Sequence, residues 1–299
     1  MFIIKHKKIF IGISAVLVLF SITMVSVFGL KTGIDFKGGA LTEIYYPDAR
    51  PDVATLQVSI KPLGLGEVLV QPTGDKGYFL KSKDLTEAER VSFFQSFTVG
   101  DKYKVEEKSF NSIGPSIGKE LQSKAIIAII LVALAIIFFI AFAFRKVSKP
   151  VSSWKYGFIA VITLLHDVAI PIGVFTLLSH FYGVEVDALF VVAVLTVLGL
   201  SVSDTIVVFD RIRENLKSHS SSTFSETVGL SLKQVYARSI NTSLTVILVL
   251  LSLFFFGPAP TKYFALMLVA GMFFGTYSSI FLASPLLVFV QELQDKKKK

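Results

Sequence analysis

Six apolar runs, 9–29, 125–144, 156–178, 189–209, 239–257 and 263–290, punctuate the chain. Each is long enough to cross a hydrocarbon core of about 30 Å as a helix of about 20 residues. Between the first two lies a long polar stretch, 31–123, where the periodicity changes. Residues 40–46 alternate Leu41, Glu43 and Tyr45 against Thr42, Ile44 and Tyr46, which predicts a strand entered through Gly38-Gly39. The spacing predicts a helix over 51–60, with Pro51 in the first turn and Val53, Leu56 and Ile60 on one face. Strand-like runs at 67–71 and 78–81 are joined by the turn-rich segment 72–77. An amphipathic helix over 84–97 and a last strand over 102–110 complete the order βαββαβ, a ferredoxin-like split sheet. The expected fold is an α-helical integral membrane protein with six transmembrane helices and a small ferredoxin-like α+β domain outside the cytoplasm.

Charge placement gives the orientation, because short loops rich in Lys and Arg stay in the cytoplasm. Lys5, Lys7 and Lys8 precede the first span. Arg145, Lys146, Lys149 and Lys155 separate the second and third, and Arg211, Arg213, Lys217, Lys233 and Arg238 separate the fourth and fifth. Lys296, Lys297, Lys298 and Lys299 close the chain. The connection 179–188 carries only Glu185 and Asp187, and the 258–261 turn is followed by Lys262 alone. Both termini are therefore expected in the cytoplasm. The division is 1–30 as N-terminus and first span, 31–123 as the exported domain, 124–291 as the five remaining spans, and 292–299 as a basic tail. The first run is too long for a signal peptide and no Ala-x-Ala site follows it, so it is expected to be a retained anchor.

Composition agrees with this reading: hydrophobic residues make up 53% and charged residues 17% of the chain. The net charge of +8 belongs to the cytoplasmic loops, since the 12 basic and 13 acidic residues of 31–123 nearly cancel. Those basic residues are scattered without interleaved aromatics, which argues against nucleic acid as a partner. With no cysteine, disulfides, thiolate catalysis and cysteine metal sites are excluded. The exported domain has no His and its carboxylates are dispersed, so it shows no catalytic or metal constellation and is expected to contact another polypeptide.

The chemistry-bearing residues lie in the spans. Asp204 sits about seven residues, roughly 10 Å at helical rise, from the cytoplasmic end of its span, too deep for easy contact with headgroups. Ser201 lies one turn away on nearly the same face. An intramembrane carboxylate that switches between neutral and ionised forms binds and releases protons. The bland alternative is a carboxylate that fixes helix packing. Arg238 opens the next span, with Asn241, Thr242 and Thr245 at helical spacing below it. That stripe is expected to face protein or water, and a cation within reach of Asp204 would make its protonation sensitive to helix movement. Arg238 alone would read as an interfacial anchor. His166-Asp167 lies in the middle of the third span, between Thr163 and the helix-disrupting Pro171, and such a pair can carry protons or simply satisfy itself. No Ser sits in a nucleophile motif, so an intramembrane protease is not expected. Gly114-Pro115 breaks the strand before the second span and is a turn or a hinge. Gly271-Met272-Phe273-Phe274-Gly275, continued by Ser278 and Ser279, permits close helix packing.

Taken together, Gly33-Ile34-Asp35-Phe36-Lys37-Gly38-Gly39, Gly114-Pro115-Ser116-Ile117-Gly118, Leu165-His166-Asp167 and the run from Ser203-Asp204-Thr205 through Arg213-Glu214-Asn215 resemble the SecF family. These are the smaller subunits of the bacterial SecD–SecF protein-export accessory complex, and the resemblance covers nearly the whole chain. It implies an RND-type half bundle completed by SecD, in which proton flow drives exported domains that engage a preprotein emerging from the SecYEG channel. It assigns proton passage to Asp204 and Arg238, and also matches His166 and Asp167. It further implies residence in the bacterial inner membrane with the large loop in the periplasm. The implied partners are SecD, SecYEG and its associated translocase subunits, unfolded preprotein and the lipid bilayer. No enzymatic activity and no cofactor are expected beyond the coupling ion, a proton or alternatively sodium. Two other readings stand beside it: an assembly and scaffolding subunit, and half of an RND-type small-solute exporter. The exporter is disfavoured by the small exported domain, which has no apolar substrate-pocket pattern.

Overall fold

The computed structural model describes residues 2–143, 152–218 and 223–297. Arg145, Lys146, Lys149, Lys298 and Lys299, read above as cytoplasmic charges, lie outside the described residues, as does Phe144 at the end of the second apolar run. The chain divides into two units. Thr32–Ile127 with Glu185–Ala188 form one, and the remaining helices form the other.

The helices, in chain order, begin with a short α1, Phe2–Lys5, and the first span α2, Lys7–Phe28. The α+β unit follows as α3 (Ile34–Lys37), β1 (Gly39–Tyr45), α4 (Val53–Ile60), β2 (Leu69–Thr73), β3 (Gly77–Ser82), α5 (Glu87–Ser96) and β4 (Glu106–Ile113). The sheet order is β2-β3-β1-β4 with every pair antiparallel, the ferredoxin-like arrangement expected from βαββαβ. Ala40, Thr42 and Ile44 point inward opposite Ser82, Leu80 and Tyr78, as a period of two requires. Ile44, Tyr46, Leu56, Tyr78, Leu80, Phe93 and Phe97 build the core beneath α4 and α5. The two core tyrosines keep their hydroxyls satisfied: Tyr46 donates to the Phe97 carbonyl at 3.0 Å and Tyr78 to that of Pro51 at 2.6 Å.

Three boundaries differ from expectation. Pro51 lies outside α4, because Asp52 is the cap, its carboxylate accepting from the Thr55 N–H at 2.7 Å. The second strand is shifted toward Pro72, which is tolerated because β2 is an edge strand. The last strand begins only at Glu106, since Val99, Gly100 and Asp101 adopt left-handed backbone with φ of 51°, 69° and 63°. The connection 179–188 is also more structured than a bare turn. Thr32 and Val186 form an isolated parallel bridge, Lys81 pairs with Glu185 at 2.9 Å, and the Asp35 carboxylate accepts from the Ala188 N–H at 2.7 Å.

The chain continues with α6 (Pro115–Ala143), α7 (Ser153–Tyr182), α8 (Ala188–Lys217), α9 (Phe224–Phe256), α10 (Lys262–Ser278) and α11 (Ser284–Lys297). A π-helical turn, Ser279–Ala283, joins the last two into one rod. Among the described residues, six helical rods are long and apolar enough to span a membrane. The rod of α6 starts ten residues before the apolar run, with Pro115 in its first turn, where no backbone donor is needed. Gly114-Pro115 is therefore a strand-to-helix junction. It is tightly packed: a Cβ on Gly38 (φ 80°) would lie 2.7 Å from Pro115 Cα, and one on Gly118 would lie 2.8 Å from the Gly38 nitrogen. The 33–39 and 114–118 segments thus interlock.

In the helical unit α2 packs on α7, while α10 packs on both α7 and α9. Small residues permit these approaches; a Cβ on Gly173 of α7 would sit 2.5 Å from Ser21 of α2. Lys7 and Glu292 pair at 2.8 Å, which brings the start of the first span beside the end of the last.

Candidate functional site

The small-residue face of α10 lies on α8: a Cβ on Gly271 would run into Val197, and one on Gly275 would lie 3.4 Å from Ser201. This close approach brings the polar atoms of three helices together. Asp167 of α7 is 0% exposed and His166 is 3% exposed. His166 Nδ1 hydrogen-bonds Asp167 Oδ1 at 2.7 Å. The other carboxylate oxygen accepts from Ser201 of α8 and from Ser278 of α10, the latter at 2.6 Å. Pro171 stays within an unbroken α7 and, lacking an N–H, withholds the usual helical donor from the Asp167 carbonyl.

Asp204 stands one turn along α8 from Ser201 and is half-buried. Its Oδ2 accepts from Thr276 Oγ1 at 3.0 Å, and Thr276 in turn is hydrogen-bonded to Ser243 of α9. Ser243 also reaches the Ser239 carbonyl at 2.8 Å. A chain of hydroxyls thus runs from Asp204 through α10 to α9, without an ion pair to Asp204 among the described residues.

This corrects one sequence expectation. Arg238, Asn241, Thr242 and Thr245 are all exposed and do not turn toward Asp204. At 100° per residue their stripe lies well round the helix from Ser239 and Ser243, the face that α10 covers. Thr242 and Thr245 use their hydroxyls on their own helix, donating to the Arg238 and Thr242 carbonyls at 2.8 and 2.7 Å. The predicted residues therefore fall into separate groups. His166, Asp167 and Ser201 meet, Asp204 lies one turn along α8, and the Arg238 stripe forms an outward polar face. Sequence reasoning missed Thr276, Ser243 and Ser239, and read Ser278 as packing alone. Their signal was present as hydroxyl residues at helical spacing in otherwise apolar runs.

The run after Asp204 has a structural explanation. Asn215 is buried and donates to Ser231 Oγ at 2.8 Å and to Gln234 Oε1 at 2.7 Å. Arg211 Nε donates to the same Gln234 oxygen at 2.7 Å. These bonds fasten the end of α8 to the start of α9. In the α+β unit a shallow groove of about 490 Å³ lies between α4 and the Val99-Gly100 turn, lined by Ala54, Thr55, Val58 and Ser59 without an ionisable side chain. Among the described residues no cluster of His, Asp and Glu is suited to a metal ion.

Comparison with known proteins extends over the same ground. Residues 94–293 match the family of protein export membrane proteins SecD/SecF, C-terminal. Protein translocase subunit SecF of Thermobaculum terrenum is 40% identical over 297 residues, covering 96% of this chain and 92% of that protein. Its counterpart in Anaerolinea thermophila is 37% identical, with the same coverage of 96% and 92%. The crystal structure of SecDF, a translocon-associated membrane protein from Thermus thermophilus, superposes with a TM-score of 0.81 at 29% identity over 97% of this chain. A SecDF structure in a super-membrane-facing form gives 0.69 at 29% identity over 98%. The chain spans only 38% and 39% of the length of those two SecDF proteins. Since the family match covers residues 94–293 and the SecF relatives cover nearly the whole chain at up to 40% identity, the chain belongs to the SecD/SecF protein-export family, on its SecF side.

Proposed function

We propose that this chain is the SecF subunit of a Sec accessory complex that couples proton movement across the bacterial inner membrane to late steps of preprotein export. The observation that carries the reading is the pair of intramembrane carboxylates, Asp167 and Asp204, which both accept from hydroxyls, Asp167 also from the His166 ring, with no Lys or Arg paired to either among the described residues. A carboxylate whose partners are hydroxyls can be satisfied both with and without its proton, because a hydroxyl donates or accepts. Asp204 is the half-buried member, and so the one reached from outside the unit. Arg238 contributes its charge from the exposed face rather than as a direct partner of Asp204.

Kinship supports the remaining parts of this reading. The chain corresponds to somewhat over a third of SecDF, so a SecD subunit would supply the second half bundle and complete the proton path. The exported domain would sit in the periplasm and engage unfolded preprotein from SecYEG, with both termini cytoplasmic; the Lys7–Glu292 pair supports placing the termini at one end. The chain itself catalyses no covalent step on this reading.

The test is Asp204→Asn in inverted membrane vesicles that carry this chain with SecD. Complex assembly should stay intact while proton-dependent stimulation of export falls to background; replacing the proton gradient with a sodium gradient tests the other coupling ion. Normal stimulation in the variant would sink the reading. Loss of SecD co-purification in proportion to lost export would instead favour a scaffolding subunit.

A further inference from the structure

We propose that Ser278 is a positioning residue that reads the protonation state of Asp167 and passes it to the backbone of α10; the inference rests on the proton-coupled reading above. Two carboxylates on different helices take hydroxyls from one turn of α10. Ser278 donates to Asp167 of α7 at 2.6 Å and Thr276 to Asp204 of α8 at 3.0 Å. Whatever the two carboxylates do is therefore felt at one place.

Ser278 has one hydrogen and two acceptors within reach, Asp167 Oδ2 at 2.6 Å and the Gly275 carbonyl at 3.0 Å. Beside an ionised carboxylate the hydrogen goes to Asp167, where the bond is charge-assisted. When Asp167 takes up a proton, one O–H bond forms on the carboxyl. That O–H donates to the Ser278 oxygen, and the serine hydrogen turns to Gly275. On release the O–H bond breaks, the proton leaves, and the serine hydrogen returns. Ser278 itself neither gains nor loses a proton, and every group is paired in both states. Ser201 lacks this freedom, since among the described residues its hydroxyl bonds only to the carboxylate.

The Gly275 carbonyl is also the acceptor of the Ser279 N–H, the first residue of the π-helical turn Ser279–Ala283. A second donor at that carbonyl competes with the backbone ladder where it changes pitch. The turn is held by further hydroxyls, Ser279 donating to the Thr276 carbonyl at 3.0 Å and Ser284 to that of Ser279 at 3.2 Å. Single π-helical turns inside α-helices are frequent at functional sites. The other ionisable groups around Asp167 are few. His166 is its neighbour on α7, Asp204 lies one turn beyond Ser201 on α8, and Tyr277 of α10 stacks on the His166 ring with centroids 6.1 Å apart. Of the other helices packed on α7, α2 brings no ionisable side chain over 9–28, and α11 brings none before Glu292.

The experiment uses this chain reconstituted with SecD in vesicles, with infrared titration of the carboxyl band that Asp167→Asn removes. Ser278→Ala should move the midpoint of that band by about one pH unit, the size of one hydrogen bond to a charged group. The pH profile of proton-driven export should move with it. Ser278→Thr, which keeps the hydroxyl, should restore both. An unmoved midpoint in Ser278→Ala, or a threonine variant that behaves like alanine, would overturn the proposal. A measurement on the unaltered chain guards against misfolding: amide exchange over 275–283 should change across the pH range in which the Asp167 band titrates. Amides indifferent to that titration would equally overturn it. Asp204→Asn in the same vesicles separates the two claims. Normal proton-driven export there removes the coupling reading, whereas its loss beside an unmoved Ser278 readout removes only the role of Ser278.

Discussion

Glu89 shows how far neighbours can set the behaviour of a single side chain. The Lys83 ammonium donates to it at 2.7 Å, and the Thr86 N–H and hydroxyl donate at 2.9 Å each. Together they push its pKa down from 4.5 to about 2. A carboxylate with a lowered folded-state value adds stability above its unfolded value and loses that stability as the pH falls through the folded one. The loss should fall between about pH 4.5 and about 2. Glu89→Gln should flatten that acid limb when protection of the α5 amides is followed by hydrogen exchange against pH. Thr86→Ala removes the reciprocal capping box and should cost about 1 kcal/mol in the same measurement at neutral pH. An acid limb unchanged in Glu89→Gln would show that the hydrogen bonds do not stabilise the domain. At this scale the sequence was only half legible. Asp204 stood out because a charge in an apolar run is costly wherever it faces. Its partners Thr276 and Ser243 did not, because a hydroxyl in a span is cheap and its direction is fixed only by which helix packs against it.

At the scale of elements, length and periodicity carried most of the information. All six spans are visible as apolar runs, and the alternation over 40–46 gives β1 together with its buried face. Ends were read less well, because α6 and α8 run on as helices past the apolar stretch into polar surroundings, where the hydrophobic signal stops but the backbone ladder does not. The π-helical turn in the last span leaves no mark in the hydrophobic pattern. The packing of α10 on α8 yields a direct prediction. Gly271 is pressed against Val197, so Gly271→Leu should overpack the contact and cost roughly 1–3 kcal/mol. It should also weaken the Ser201–Asp167 and Thr276–Asp204 bonds, which depend on the same approach. Gly199 of α8 is the matched control: a Cβ there meets nothing within 4 Å, so Gly199→Ala should be neutral or mildly stabilising. Thermal unfolding of the two variants in detergent would decide the matter, and equal stabilities would show that the glycine face is not what holds α8 to α10.

On the scale of the molecule, this is a multi-pass protein of the bacterial inner membrane, and its outer faces are of two kinds. Helix α6 presents Ile126, Ile130, Leu134 and Phe138, an exposed face suited to lipid tails. Helix α9 presents Leu248 and Val249 toward one end, but near its other end Arg238, Asn241, Thr242 and Thr245 form an exposed polar stripe. A guanidinium and an amide in hydrocarbon would cost several kcal/mol, so that stripe requires protein or water against it. On α8, Ser203 is exposed and Asp204 half-exposed, so the polar surface reaches the carboxylate itself. A SecD half bundle placed there would bury the stripe and bring its own polar groups to Asp204, which explains why Arg238 points away from the hydroxyl chain inside this subunit. The chain contains no cysteine, so one introduced thiol reports without interference. Asn241→Cys should react readily with a small water-soluble maleimide when this chain is expressed alone, and at least tenfold more slowly when SecD is co-expressed. Ile130→Cys on the lipid-suited face of α6 should show no such dependence on SecD. Equal labelling of Asn241→Cys with and without SecD would mean that water alone covers the stripe, and the second half bundle would have to dock elsewhere.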